Sequence, residues 1–167
     1  MLDPGRWTAV ACLTAVLAAQ VSFDWLRLRR DALNQWFFRA FRHLASPRES
    51  HAPVSSTWYT AGVVLALAVL PRGAASSGIL LLAVADPVAS IVGRLWGRRR
   101  FLGGSMEGSA AFAVAALAVL WLRHPPIVAV TGALLSTLAE RLAWPWDDNL
   151  VLPVAAGSGV WLLGALL

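Results

Sequence analysis

Nine acidic side chains occur in the 167 residues, and five of them, Asp86, Glu107, Glu140, Asp147 and Asp148, fall beside the ends of apolar segments. Ionisable groups at the edge of such segments are costly and read as functional candidates. The run Trp146-Asp147-Asp148-Asn149, preceded by Glu140, sets two adjacent carboxylates and an amide where the chain enters an apolar stretch. Mg2+ takes one or two carboxylates together with substrate phosphates. A magnesium–nucleotide site is therefore the chemistry this pattern fits, with a hydrophilic helix cap as the plain alternative. Upstream, in Asp86-Pro87-Val88-Ala89-Ser90-Ile91-Val92-Gly93-Arg94-Leu95-Trp96-Gly97, a step of about 100° per residue puts Asp86, Ala89, Ser90, Gly93 and Gly97 on about a third of a helix surface.

That stripe has two readings. Gly93-x-x-x-Gly97 lets two membrane helices approach closely, or the missing side chains let a nucleotide lie against the backbone. In the second case Arg94, Arg98, Arg99 and Arg100 supply phosphate contacts at the mouth. Pro87 has no N–H and crowds the carbonyl of Ala83, so the helix is expected to deform beside Asp86. At membrane depth this is tolerable only where it faces a cavity. Gly103-Gly104-Ser105-Met106-Glu107-Gly108-Ser109 follows. A glycine-rich turn entering a helix presents N–H donors to an anion, while Ser105 also suits a plain N-cap with Glu107 in the first turn. The structural alternative for the acids is pairing, Asp86 with Arg94 and Glu140 with Arg141.

The elements that must hold these residues are membrane helices. The chain is 58% hydrophobic and 14% charged, with nine Trp and a net charge of +5. Soluble domains run nearer half apolar and a quarter charged. This excludes a disordered chain and an ordinary cytosolic enzyme, and the single Cys12 excludes an internal disulfide scaffold. All 14 basic residues are Arg, placed between apolar runs rather than on one polar face, which does not indicate a nucleic-acid partner. A span of about 30 Å needs about 20 helical residues, and six segments approach this: 7–25, 55–70, 74–96, 107–122, 126–142 and 150–167. Trp7, Trp25, Trp58, Trp96, Trp121, Trp144 and Trp146 lie at or near their ends, where indole prefers the interface.

Arginine counts orient the bundle. The loops 26–54, 97–106 and 143–149, with Arg94 and Arg141, hold 11 of the 14, against Arg6, Arg72 and Arg123 on the other side. The expectation is both termini outside, three cytoplasmic loops, and one integral membrane domain over 1–167. The first segment reads as a retained anchor, because its positive flank (Arg27, Arg29, Arg30) follows the apolar run. In 31–45, Leu33, Trp36, Phe37, Ala40, Phe41 and Leu44 share a face opposite Asn34, Gln35, Arg39, Arg42 and His43. This is an interfacial helix that binds anionic lipid or forms a doorway for a lipid substrate. No long-period repeat is visible. The fold class is thus all-α, a polytopic bundle of about six membrane helices and one interfacial helix.

The motifs DPVASIVGRLWGRRRF, SMEGSAAF and LAE with DDNLVLP, in that order over about residues 46 to 155, resemble the CTP-dependent lipid kinase family, which includes dolichol, phytol and CTP-dependent diacylglycerol kinases. Asp86, Ala89, Gly93 and Gly97 match its first motif, Ser105, Glu107, Gly108 and Ser109 its second, and Glu140, Asp147, Asp148 and Asn149 its third. Gly104 stands where the family commonly has Lys, which leaves that phosphate contact to Arg98, Arg99 or Arg100. The resemblance implies transfer of the γ-phosphoryl of CTP, or another nucleoside triphosphate, to a lipid alcohol such as diacylglycerol, a polyprenol or phytol. Asp86, Glu107 and Asp148 would be catalytic and would converge, and Mg2+ would lie on Asp86, Asp147 and Asp148. Ala89, Gly93, Gly97, Arg98, Arg99, Arg100, Ser105, Gly108 and Asn149 would meet the nucleotide, with Glu140 nearby. The alternatives are a phosphatidate cytidylyltransferase-like enzyme, whose closing signature is missing, and a small transporter or scaffold. A transporter would place its ionisable groups near the midplane between repeated halves.

Overall fold

A computed structural model describes residues 3–42, 45–142 and 146–166. Its helices lie where hydropathy places them: α1 Pro4–Arg29, α3 Ser55–Val69, α4 Arg72–Leu80 continuing into α5 Asp86–Trp96, α6 Met106–Trp121, α7 Pro126–Leu142 and α8 Asp148–Leu166. The short α2, Asp31–Ala40, follows α1, and a 3-10 turn, Pro47–Ser50, precedes α3. A two-residue ladder, β1 Arg100–Phe101 with β2 Gly104–Ser105, is the strand structure among the described residues. The architecture is an all-α membrane helical bundle. Pro4–Arg29, Arg72–Trp96 and Asp148–Leu166 are long and apolar enough to cross a membrane, and Ser55–Val69 and Met106–Trp121 are shorter apolar helices. The interfacial helix ends earlier than expected, at Ala40 with Phe41 as its cap. His43 and Leu44, like Trp144 and Leu167, lie outside the described residues.

Burial is inverted on α1, whose buried residues are Asp24 and Arg27. Apolar side chains there face outward, as hydrocarbon surroundings permit, and the charges turn in. The core of Leu81, Leu82, Phe112, Leu120, Val128 and Leu152 joins the α4–α5 helix to α6, α7 and α8. Indoles of Trp7, Trp25, Trp96, Trp121 and Trp146 are exposed at element ends, as an interfacial aromatic belt requires.

The Pro87 expectation is met by a π-helical segment, Leu81–Ala85, in which the Asp86 N–H reaches the Leu81 carbonyl. The wider turn absorbs the donor that Pro87 lacks and starts α5 at Asp86. A second proline, Pro153, lies inside α8. It leaves the Asn149 carbonyl without its helical donor, and that carbonyl faces Gly62 of α3, where a Cβ would fall on it and within 2.9 Å of Pro153 Cγ. Gly62→Ala will therefore displace the start of α8, and with it Asp147 and Asp148. We expect a loss of about 1–3 kcal/mol from overpacking, read as a lower Tm in detergent. Gly73→Ala, whose Cβ meets nothing within 4 Å, serves as the control and should leave Tm unchanged.

Candidate functional site

The acids gather at the junction of α5, α7 and α8. Asp148 starts α8, and its Oδ1 accepts the Asn149 N–H at 2.9 Å, while Asp147 Oδ1 accepts the same N–H at 3.1 Å and the Asn149 side-chain amide at 2.9 Å. One amide thus holds two carboxylates side by side. Burial, with the neighbouring Asp148 charge, pushes the Asp147 carboxyl above the ordinary aspartate range, against the hydrogen bonds from Asn149. Asp148 acts electrostatically on Asp86, Glu140 and Asp147 together.

Arg141 is the cation among them. Its Nε donates to Ser109 Oγ at 2.6 Å and lies 2.8 Å from Glu140 Oε2. Because that N–H is aimed at Ser109, Glu140 Oε2 is buried without a hydrogen bond. The expected Glu140–Arg141 pair exists, but it leaves one carboxylate oxygen unsatisfied. The expected Asp86–Arg94 pair does not form. Arg94 is exposed, with its Nε on the Ser90 carbonyl, and among the described residues Asp86 has neither an ion pair nor a hydrogen bond to its carboxylate.

A polar cleft of about 1080 Å3 opens at this junction, lined by Glu140, Arg141, Asp147, Asp148 and Asn149 on one side and Arg48, Trp58, Leu102 and Gly103 on the other. Asp86 lies beside the cleft, within Coulomb range of its acids. Leu102 and Gly103 join β1 to β2 with φ of +42° and +81°, as a tight hairpin with both central residues at positive φ demands. A leucine in that conformation is strained, and the strain sits on the wall of the cleft.

The glycine stripe is a packing device. A Cβ on Gly93 would lie 3.0 Å from Ser105 Oγ and one on Gly108 would lie 3.0 Å from the Ala89 carbonyl. Ala89, Ser105 and Gly108 are buried between α5 and α6. A Cβ on Gly97 would likewise lie 2.8 Å from Ser105 Cβ. Gly93, Gly97 and Gly108 thus allow α5 and the start of α6 to approach closely. Ser105 is the N-cap of α6, accepting the Gly108 N–H at 3.1 Å. Glu107 accepts the backbone N–H groups of Arg98 and Arg99 at 3.1 and 3.4 Å, so its carboxylate holds the Arg98–Arg99 turn. The side chains of Arg98, Arg99 and Arg100 are exposed beside it. Gly104 has a reason of its own, since a Cβ there would fall on the Arg141 guanidinium. A cation from α7 thus occupies the place a side chain at 104 would take.

A second polar network had no place in the sequence reading. Arg27, 0% exposed, spends its guanidinium on Asp24 Oδ1 (2.8 Å), Asn34 Oδ1 (2.7 Å) and the carbonyls of Glu49 and Ala52 (both 2.8 Å), under the Phe37 ring at 5.0 Å. Asp24 Oδ2 accepts from Thr57 Oγ1 at 2.7 Å and the Val54 N–H at 3.1 Å. The Asp24-x-x-Arg27 spacing at a helix end was the available signal.

Two curated proteins are similar to the chain. The CTP-dependent diacylglycerol kinase 1 of Schizosaccharomyces pombe is 28% identical over 162 residues, covering 84% of this chain and 74% of that protein. The resemblance to the CTP-dependent lipid kinase family is borne out. The CTP-dependent diacylglycerol kinase 1 of Eremothecium gossypii is 27% identical over 164 residues, covering 78% of this chain and 51% of that protein. The chain thus spans about half the length of this second relative. No family model matches the chain, and no solved structure does.

Proposed function

We propose that this protein is a multi-pass membrane kinase that moves the γ-phosphoryl of CTP to a lipid alcohol, with diacylglycerol as the acceptor class its relatives' names point to. The observation that carries the reading is the cleft in which Glu140, Asp147 and Asp148, with Asp86 beside them, outnumber its two arginines, Arg48 and Arg141. Such an excess of carboxylates, one with a buried oxygen that accepts no hydrogen bond, is relieved by a bound cation or by protonation.

The residues fit a divalent cation such as Mg2+. Asp147 and Asp148 present two carboxylates from one turn, and two suffice when phosphates complete the shell, although no group of three or more metal-ligating side chains is assembled among the described residues. A cation held there by Asp147 and Asp148 would neutralise charge on the transferred phosphoryl group. Arg141, fixed against Gly104 and Ser109, orients the phosphates, and the exposed Arg98, Arg99 and Arg100 draw the nucleotide to the mouth. Glu140 Oε2, buried and unsatisfied, accepts the proton of the lipid hydroxyl as that oxygen bonds to the γ-phosphorus and CDP leaves. Ala89, Gly93, Gly97, Ser105, Gly108 and Glu107 act by holding the Arg98–Arg99 turn in place.

In this reading the six helices all cross the membrane as one integral domain. The three outer arginines have structural work: Arg6 bonds the Leu67 and Ala68 carbonyls, Arg72 pairs with Asp3, and Arg123 bonds Ser76. The cleft then opens on the cytoplasmic side. The reading is checked with purified protein in mixed micelles by following CDP formation from CTP. We expect CDP to appear only when diacylglycerol is present and to stop when EDTA removes divalent ions. CDP formation that ignores the lipid would contradict the assignment.

A further inference from the structure

The acid cleft accounts for the nucleotide end of such a reaction and leaves the lipid without a seat. A second cavity, of about 570 Å3, lies where α1, α2 and α3 meet, lined by Ala19, Gln20, Phe23, Phe37, Phe41 and Thr57. Its size falls in the range of small-molecule sites, and its walls are mostly hydrocarbon. Phe37 packs on Phe23 and Phe41 with ring centroids 5.9 and 5.0 Å apart, forming an aromatic floor.

We propose that this chamber seats the lipid alcohol acceptor, its chain on the phenylalanine floor and its hydroxyl donated to Gln20 Oε1. The proposal rests on the lipid-kinase reading above and gives its acceptor a place. Two observations carry it. Gln20 Oε1 is buried without a hydrogen-bond partner, while its amide nitrogen reaches only the Ser56 carbonyl, at 3.5 Å. A buried acceptor left empty is costly, and the ligand that relieves it must carry an O–H or N–H donor as well as an apolar body. A lipid alcohol has both, whereas phosphatidylcholine has no donor.

The second observation is continuity. Glu49 lines both this chamber and the acid cleft, so the segment that carries it is the partition between them. Both Glu49 oxygens are committed, to the Ser46 N–H at 2.8 Å and to the Ser55 N–H and Oγ at 2.7 and 2.6 Å. Glu49 therefore shapes the partition and is not a free acid in it. Gln20 Oε1 is thus a resting seat: the hydroxyl leaves it and passes the Glu49 segment to reach Glu140 in the acid cleft.

The test uses the full-length protein in detergent micelles with a diacylglycerol carrying a diazirine on its acyl chain, alongside steady-state kinetics. We expect the probe to label peptides of α1, α2 and the start of α3, the labelling to resist excess phosphatidylcholine, and Ala19→Trp, which fills the chamber, to abolish it. Gln20→Leu should raise the KM for diacylglycerol about tenfold, the scale of one lost hydrogen bond, with the KM for CTP and the Tm unchanged. Label on other helices, label displaced by phosphatidylcholine, or a lipid KM that neither variant moves would overturn the proposal. If wild-type protein labels in the chamber yet transfers no phosphoryl group, the kinase reading falls and the proposed acceptor role falls with it. An active kinase that labels elsewhere removes the chamber alone.

Discussion

Asp148→Asn will lower phosphoryl transfer by about 10²–10³-fold, the scale of removing one preorganised charge contact, and will leave the protein at least as stable as before. Asp148 is the acid whose charge reaches Asp86, Glu140 and Asp147 together, and it lines the cleft. Its carboxylate has no ion pair among the described residues, so the substitution strands no cation. Asparagine keeps an oxygen for the Asn149 N–H that Asp148 now accepts at 2.9 Å. Removing one like charge from a crowded group relieves repulsion, so Tm should hold or rise. Thermal unfolding in detergent, measured beside label transfer, reads both effects. A falling Tm with unchanged specific activity in the folded fraction would make Asp148 a structural cap.

Arg27→Leu carries the largest structural effect. It removes the donors to Asp24, Asn34 and the Glu49 and Ala52 carbonyls at once and leaves Asp24 buried at 3% exposure without its cation. Breaking a buried pair from one side costs about 3–5 kcal/mol. Segment 46–56, which Arg27 ties down through those carbonyls, should loosen with it. Adding Asp24→Leu removes the stranded charge and should recover part of the loss. Thermal unfolding and size-exclusion profiles of the single and double variants check this. A single variant as stable as wild type would show that the network is dispensable.

The helices were legible because hydropathy and length decide them. Spans drawn at 55–70, 74–96 and 126–142 meet helices at Ser55–Val69, Arg72–Trp96 and Pro126–Leu142. Pro87 announced a break in the hydrogen-bond ladder, and the π segment is how the chain accommodates it. What was not legible depends on partners far apart in sequence. Asn34 reads as part of the outer polar face of α2, yet it turns inward to Arg27 and the Ser50 carbonyl, because a buried guanidinium needs every donor matched. Gly104 reads as a missing cation until Arg141, 37 positions on, is seen to occupy its face. The glycine stripe could not be assigned from spacing, since close helix packing and close ligand approach ask for the same absent side chains. Glu107 falls in a first turn that favours an acid by its dipole, and it was the turn before it, held by its carboxylate, that settled where it points.

The central claim is that this cleft transfers a phosphoryl group from CTP to a lipid alcohol, and the fate of two labels tests it most directly. CTP labelled at both the γ-phosphorus and the cytosine ring is incubated with purified protein and diacylglycerol, and the extracted lipid is counted for each. The account predicts γ-phosphorus in the lipid, cytosine label only in the free nucleotides, and about 10²–10³-fold less lipid label with Asp148→Asn. Cytosine label in the lipid would mean cytidylyl transfer, and together with unlabelled lipid phosphate it would contradict the account.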